Sequence, residues 1–278
     1  LKAPLLLAAG LGLCAQASTF CAFAAEPYTL RGALEQGGAV FGHTVPAASV
    51  KLDGRKLLLT AAGDFVFGFD RDAGPDAELH VTVPGRPEVV RHLSVRARHW
   101  DIQRIDGLQP GLVNAPPEVE QRIAAEAKLI AAAHAQDTPI DGFSKGFEWP
   151  AHGRISDAFG GQRILNGTPK QPHSGVDVAV PTGTPVHAPF AGVVTLAEPD
   201  LYFGGGTVIV DHGHGLFSAL MHLSKLLVKP GDQVRRGQVV ALSGSSGRAT
   251  GPHLHWSLFW FDAHLDAQRL FGPATILK

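Results

Sequence analysis

The sequence predicts a mainly β protein in which two strand-rich regions are joined by one helix. Three observations carry this expectation. Hydrophobic residues make up 45% of the 278 positions, enough to build a core. Short apolar runs punctuated by Gly, Pro and Asp recur at both ends of the chain, the pattern of strands and turns. Between them lies one stretch with a sustained helical period.

Residues 1–25 read as an export signal. Lys2 precedes the apolar run Leu5 to Leu13, and the small-x-small sites Ala15-Gln16-Ala17 and Ala22-Phe23-Ala24 follow, with cleavage expected near Ala24 or Ala25. That run is too short to span a bilayer, so the processed chain is expected to be secreted or periplasmic, without a transmembrane segment. Both cysteines, Cys14 and Cys21, fall in this stretch. The processed chain then has no thiol, and a metal must be held by His and carboxylate.

Residues 26–110 are expected to form a small β-sandwich-like accessory domain. Ser49 to Leu52 and Lys56 to Leu59 flank the turn Asp53-Gly54, and strands are expected at Phe65 to Phe69, His80 to Val83 and Val89 to Val95. No titratable residues are arranged together here: His43, His80, His92 and His99 stand singly, as surface or strand residues do. Residues 111–147 form a helical linker, with a start at Asn114 and Pro116-Pro117 and an end near Gln136. Val119, Ile123, Ala127 and Ile130 mark its apolar face. Residues 148–278 return to an all-β antiparallel texture, with strands at Gly192 to Leu196, Thr207 to Asp211, Leu216 to His222, Gln238 to Ser243 and His253 to Trp260.

The formal net charge of −1 gives no support to a nucleic-acid surface, which needs clustered Lys and Arg. Histidine, at fourteen copies, is in excess. Two segments arrange it: His173-Ser174-Gly175-Val176-Asp177 and His253-Leu254-His255. Imidazole and carboxylate suit Zn²⁺, and three protein ligands leave a fourth position for water. Residues two apart on a strand share a face, so His253 and His255 line one side while Leu254 and Trp256 enter a core, with Ser257 continuing the polar side. One histidine of the pair can bind metal while its neighbour reaches substrate. A second such pair, His212-Gly213-His214, lies between two strands among glycines and reads as a solvent-exposed hairpin turn. His152, His187 and His264 have no ligand nearby in sequence. Gly244 to Gly251 lacks the Lys-Ser/Thr ending of a phosphate loop and precedes a strand, so it reads as a tight loop delivering His253.

From about Trp149 to Trp260 the chain resembles the lysostaphin-type, or LytM-domain, zinc metallopeptidases. The resemblance runs in order through Gly153-Arg154-Ile155-Ser156 with Phe159-Gly160, His173 to Ala179, Pro181-Thr182-Gly183-Thr184-Pro185-Val186 and Ala191 to Val194. It continues through Met221-His222-Leu223-Ser224, Gly231-Asp232-Gln233-Val234 and Gly244 through Trp256. It implies an antiparallel β metallopeptidase domain that binds one Zn²⁺ per chain through His173, Asp177 and His255, with His222 and His253 as non-ligand catalytic histidines. The substrate implied is the peptide portion of bacterial peptidoglycan, and wall-associated protein partners stay open. One departure stands out. The family often has Tyr where this chain has Leu220, two residues before His222, and strand alternation places position 220 on the His222 face, so a hydroxyl near the site is expected to be missing.

The chemistry follows from the residues. A metal held there would lower the pKa of a bound water and polarise the amide carbonyl, and a neighbouring histidine would move the proton or steady the oxyanion. No HExxH helix supplies a glutamate base. The rival expectation is a non-catalytic LytM-fold module that binds wall or activates another hydrolase, against which the intact ligand set argues. A biotinyl- or lipoyl-carrier reading of His187 to Val194 and Lys229 to Val234 lacks the modifiable lysine beside methionine.

Overall fold

The computed structural model describes residues 26–107, 116–271 and 276–277. The expected export signal, both cysteines and the expected helix start at Asn114 lie outside the described residues. The architecture is mainly β, with antiparallel sheets and one α-helix among the described residues.

The upstream region contains β1 (Tyr28–Gly32), β2 (Ala39–Thr44), β3 (Ser49–Leu52), β4 (Arg55–Leu57), β5 (Asp64–Gly68), β6 (Asp76–Thr82) and β7 (Val89–Ser94). Strands β1, β2 and β5 form one sheet; β4, β3, β6 and β7 form a second. Alternation builds the core: Ala77, Leu79 and Val81 of β6 are buried, while Asp76, Glu78 and Thr82 are exposed. The β3–β4 turn uses Asp53 and Gly54, both at positive φ (46° and 81°), as a two-residue hairpin of this twist requires.

β8 (Ile102–Ile105) leaves this region and pairs in parallel with β10 (Gln162–Leu165), which pairs on its other edge with β11 (Thr168–Pro169); β9 (Arg154–Asp157), which precedes β10 in the chain, pairs instead with the strand that follows β11. The helix α1 (Pro117–His134) begins with proline in its first turn and has Glu118 and Glu120 there, favourable placements at the positive helix end. It ends two residues before Gln136. Val119, Ile123, Ile130 and Ala133 turn inward, but Ala127 is exposed and Glu126 takes the inward place beside it. Glu126 accepts the Tyr202 backbone N–H at 2.8 Å, and Arg122 donates to the Asp200 carbonyl, so the helix is pinned to a sheet turn by polar bonds as well as by its narrow apolar stripe.

The remaining strands are β12 (Val176–Ala179), β13 (Pro185–His187), β14 (Gly192–Leu201), β15 (Gly205–Gly213), β16 (Leu216–Leu226), β17 (Gln233–Val234), β18 (Val239–Ser243), β19 (Leu254–Trp260), β20 (Ala263–Leu265) and β21 (Ile276–Leu277). The last pairs with β1. The main sheet runs β17-β14-β15-β16-β19-β12-β9, with β13, β18 and β20 attached beside it. Strand β19 is buried from end to end. Leu254, Trp256, Leu258 and Trp260 enter the main core, while Phe259 joins a smaller cluster with Ala133 and Phe217.

The His212-Gly213-His214 segment does sit at a hairpin, but its histidines are not solvent-exposed. His212 is fully buried and His214 nearly so. His212 Nδ1 donates to the Ala191 carbonyl at 3.0 Å, and its Nε2 lies 2.9 Å from Ser218 Oγ, which also takes the Trp256 indole N–H at 3.2 Å. Glycine punctuation located the turn; it carried no information on what covers it. Burial pushes the His212 pKa down to about 4, with the Ala191 hydrogen bond only partly opposing.

His212→Ala should therefore cost stability, about 1–3 kcal/mol for stranding buried polar partners, read by denaturant unfolding. The unfolded histidine titrates near 6.5 and binds more protons than the folded one between that pH and about 4. Wild-type stability should fall as pH drops through this window, and the fall should be shallower in His212→Ala.

Candidate metal centre

β12 and β19 are antiparallel neighbours whose register places Asp177 opposite His255. Side chains directly opposite share a face, so strand register alone brings carboxylate and imidazole together. His173 reaches them from the loop ahead of β12. That approach needs glycine at 175: a Cβ there would lie 2.3 Å from the Trp256 carbonyl oxygen and 2.8 Å from His255 Nε2.

Three atoms converge. His173 Nε2 is 3.1 Å from Asp177 Oδ1 and 3.0 Å from His255 Nδ1, which is 2.8 Å from the same carboxylate oxygen. A tetrahedral Zn²⁺ with bonds of about 2.0–2.1 Å sets donor–donor edges near 3.3 Å, so the triangle fits after opening by a few tenths of an ångström. Proton placement supports the same reading. His173 Nδ1 lies 2.9 Å from the Ala158 carbonyl, an acceptor only, so that nitrogen carries the proton. His255 Nε2 lies 2.8 Å from Ser257 Oγ, which is placed to accept its proton and in turn meets Ser174 Oγ at 3.2 Å. The neutral rings then aim two bare lone pairs and a carboxylate at one point, a donor set suited to a cation. Among the described residues this is the one group of three or more His, Cys, Asp or Glu so arranged.

The electrostatics agree. Burial opposes ionisation of Asp177, but hydrogen bonds and charge from His173 and His255 outweigh it and hold its carboxyl well below the usual range. Burial likewise opposes charge on His173, yet Asp177 outweighs it and raises that pKa. His255 shares the carboxylate but is enclosed more completely, so desolvation wins and its pKa is lowered.

Two further histidines face the triangle. His253 Nδ1 donates to the Gly251 carbonyl at 2.8 Å, while its Nε2 stands 3.8 Å from Asp177 Oδ1. His222 Nδ1 donates to the Ser246 carbonyl at 2.9 Å, and its ring centroid is 4.6 Å from that of His253. Burial pushes the His222 pKa down to about 4, so it is neutral at pH 7. Both rings have Nδ1–H fixed on backbone and Nε2 left as an acceptor. The loop Gly244 to Gly251 supplies both carbonyls and so positions His222 as well as His253.

Leu220 corrects an expectation. Register pairs Leu220 with Trp256 and Met221 with His255, so Leu220 lies on the core face and is fully buried there. His222 has φ of +62°, which interrupts alternation and swings its ring to the Met221 side. Positions 220 and 222 therefore do not share a face, and leucine at 220 does not deprive this site of a group.

The structure brings together all five residues singled out in the sequence. It leaves His43 beside Asp64 at 2.8 Å and His92 beside Glu78 at 3.2 Å, on the surface of the upstream region. Sequence reasoning passed over Ser257 as a site residue, although the alternating His253-x-His255-x-Ser257 pattern contains its signal. The carbonyls of Ala158, Ser246 and Gly251 carry no side-chain signal.

The profile of peptidase family M23 matches residues 171–267, a segment that holds all five. The peptidoglycan DD-endopeptidase ShyA of Vibrio cholerae is 45% identical over 106 residues, covering 38% of this chain and 24% of its own length. ShyB of the same organism is 39% identical over 102 residues, 37% of this chain and 24% of its own. The chain thus spans about a quarter of the length of the curated relatives it matches. A solved structure from Pseudomonas aeruginosa assigned to peptidase M23 is 32% identical, covers 86% of this chain and 95% of its own, and superposes with a TM-score of 0.67. That match extends upstream of residue 171.

Ser257→Ala should weaken metal binding about 10–100-fold, because the hydroxyl orients His255, with chelator competition as the readout.

Proposed function

The chain belongs to peptidase family M23, and from this premise we propose that it is a zinc-dependent endopeptidase that hydrolyses peptide cross-links of bacterial peptidoglycan. The observation that carries the reading is the convergence of His173 Nε2, Asp177 Oδ1 and His255 Nδ1 beneath two histidines that each present a bare Nε2. The named activity of the Vibrio relatives supports the substrate class, and favours a D-Ala–diaminopimelate bond over a glycine bridge. The apolar and small-residue pattern of residues 1–25 supports a secreted or periplasmic location. Among the described residues no helix is long and apolar enough to cross a membrane.

Zinc held by His173, Asp177 and His255 would lower the pKa of a bound water and polarise the scissile carbonyl. The chain's own residues then handle the protons. His253 and His222 each keep Nδ1–H on a carbonyl, so any proton they gain must enter at Nε2, the nitrogen facing the centre. One of them accepts the proton of the attacking water and passes it to the departing amine. The other, after taking a proton from bulk water at Nε2, donates a hydrogen bond from it to the developing oxyanion. The lowered pKa of His222 suits it to start as a neutral acceptor. Asp177, held ionised, keeps its ligand oxygen bare at neutral pH. A non-catalytic wall-binding module has no need of this complete set, which disfavours that alternative.

Metal content and turnover of cross-linked wall peptides, with products identified by mass, test the assignment. Asp177→Ala and His255→Ala should lose both metal and activity. His253→Ala should keep its zinc while losing about 10²–10⁴ in rate. Stoichiometric zinc in Asp177→Ala would overturn the ligand set, and loss of zinc in His253→Ala would exchange the roles of the two histidines.

A further inference from the structure

Sequence reasoning assigns the upstream β-region no part in the chemistry, since no titratable set is arranged there. The structure nevertheless ties it to one ligand. His173 lies on a loop, and its Nδ1–H is oriented by the Ala158 carbonyl at 2.9 Å. Ala158 belongs to residues 158–161, which connect β9 to β10 and lie in neither strand. This connection and His173 are cross-braced: Gly160 N–H donates to the His173 carbonyl at 2.9 Å, and His173 N–H donates to the Gly161 carbonyl at 2.7 Å. The position of His173 is therefore only as well defined as that of residues 158–161.

What holds those residues comes from far upstream. Arg71, just beyond the β5 sheet, donates its Nε–H to the Gly160 carbonyl at 2.9 Å, and its Nη1 is held by Asp72 at 2.6 Å. The Arg71 side chain is only 10% exposed, so its charge is committed to this contact rather than to water. Its guanidinium carbon lies 5.2 Å from the centre of the Trp100 ring, and Trp100 meets Phe159 edge-on at 5.7 Å. The indole lies so close to Gly160 that a Cβ there would approach it to 2.2 Å, and Gly160 has φ of +87°. Arg98 covers Trp100 at 4.4 Å and is anchored to Asp266 at 2.9 Å. Next to Trp100, the Asp101 carbonyl accepts the Gln162 N–H at 2.8 Å, where the parallel pairing of β8 with β10 begins.

The geometry points to Arg71 and Trp100 as positioning residues for the His173 ligand: the upstream region clamps residues 158–161, and through the Ala158 carbonyl sets the orientation of the ring. Both residues lie outside the segment matched by the family profile, so this part of the metal centre comes from the rest of the chain. Neither touches the reacting atoms. Their effect runs through metal affinity, because a His173 ring free to rotate about its loop loses the preorganised Nε2.

The inference rests on the proposed ligand set, and one experiment separates the two. In the full chain, zinc affinity is measured by chelator competition for wild type, Arg71→Met, Trp100→Leu and Asp177→Ala, with thermal unfolding of each in the metal-free form. Arg71→Met keeps the buried stem and removes the donors. The expected result is a 10–100-fold rise in zinc Kd for Arg71→Met and for Trp100→Leu, measured below the unfolding transition. A merely structural role would lower the unfolding temperature and leave Kd unmoved. Folded Arg71→Met and Trp100→Leu with Kd within about twofold of wild type, beside an Asp177→Ala that has lost the metal, would overturn the clamp alone. Metal retained by Asp177→Ala would overturn the ligand set itself. If Arg71→Met does not fold, the Kd of Trp100→Leu decides by the same criterion.

Discussion

Two imidazole lone pairs and a carboxylate oxygen held about 3 Å apart cannot coexist in a half-buried site without a positive charge among them. Much of the local architecture can be understood as the means of keeping them there. β12 and β19 must pair in the register that sets Asp177 against His255. Gly175 must have no side chain, or His173 could not come within reach. The cost of crowding these acceptors is visible in their titration: Asp177 is driven toward the anion and His173 toward the cation, each compensating for the other. A proton and a divalent ion therefore compete for the same place, which is why such sites lose metal as pH falls.

Four histidines of one residue type acquire distinct duties because backbone and hydroxyl groups decide which ring nitrogen holds the proton. Ala158, Ser246 and Gly251 each present a carbonyl to an Nδ1, leaving Nε2 of His173, His222 and His253 bare. His255 is turned the other way: Ser257 faces its Nε2 and Nδ1 faces the carboxylate. This division costs the fold a strained residue. His222 sits at φ of +62°, a region costly for any residue with a Cβ, and its N–H is held by the Gly204 carbonyl at 2.7 Å. The 202–204 turn is in turn tied to the helix through Glu126, so α1, remote in sequence, braces the backbone at a candidate catalytic histidine.

The strand pattern and the segments His173 to Asp177 and His253 to His255 were legible because they obey local rules, while His222 was singled out only through the family resemblance. Period-two burial in β6 follows directly from its sequence, whereas β19 alternates apolar and polar residues but is buried on both faces; the His and Asp spacings are short enough to read within one strand and its leading loop. Two kinds of information were not local. A positive φ at a histidine has no propensity signal, so alternation put Leu220 on the wrong face. Burial of a turn depends on what packs over it, so His212 and His214 looked exposed; Ile140 and Leu58 approach that turn from distant parts of the chain. The bracing of residues 158–161 by Arg71 and Trp100 spans 89 residues in its arginine hydrogen bond and leaves no trace in any window.

The chain contains the pattern His-x-His twice, and the comparison shows what turns that pattern into a site. His212 and His255 are both buried, both hydrogen-bond a serine hydroxyl through Nε2, and both are lowered in pKa by desolvation. They differ in what meets Nδ1. For His212 it is the Ala191 carbonyl, which satisfies the ring as a neutral donor and leaves it nothing further to bind. For His255 it is the Asp177 carboxylate, an acceptor that forces Nδ1 either to carry a proton or to share a cation. Ring, burial and serine partner are common to both; the cross-strand carboxylate is not. The candidate metal site in this fold is thus set by strand register, which selects the group opposite a buried histidine, more than by the histidine pair itself.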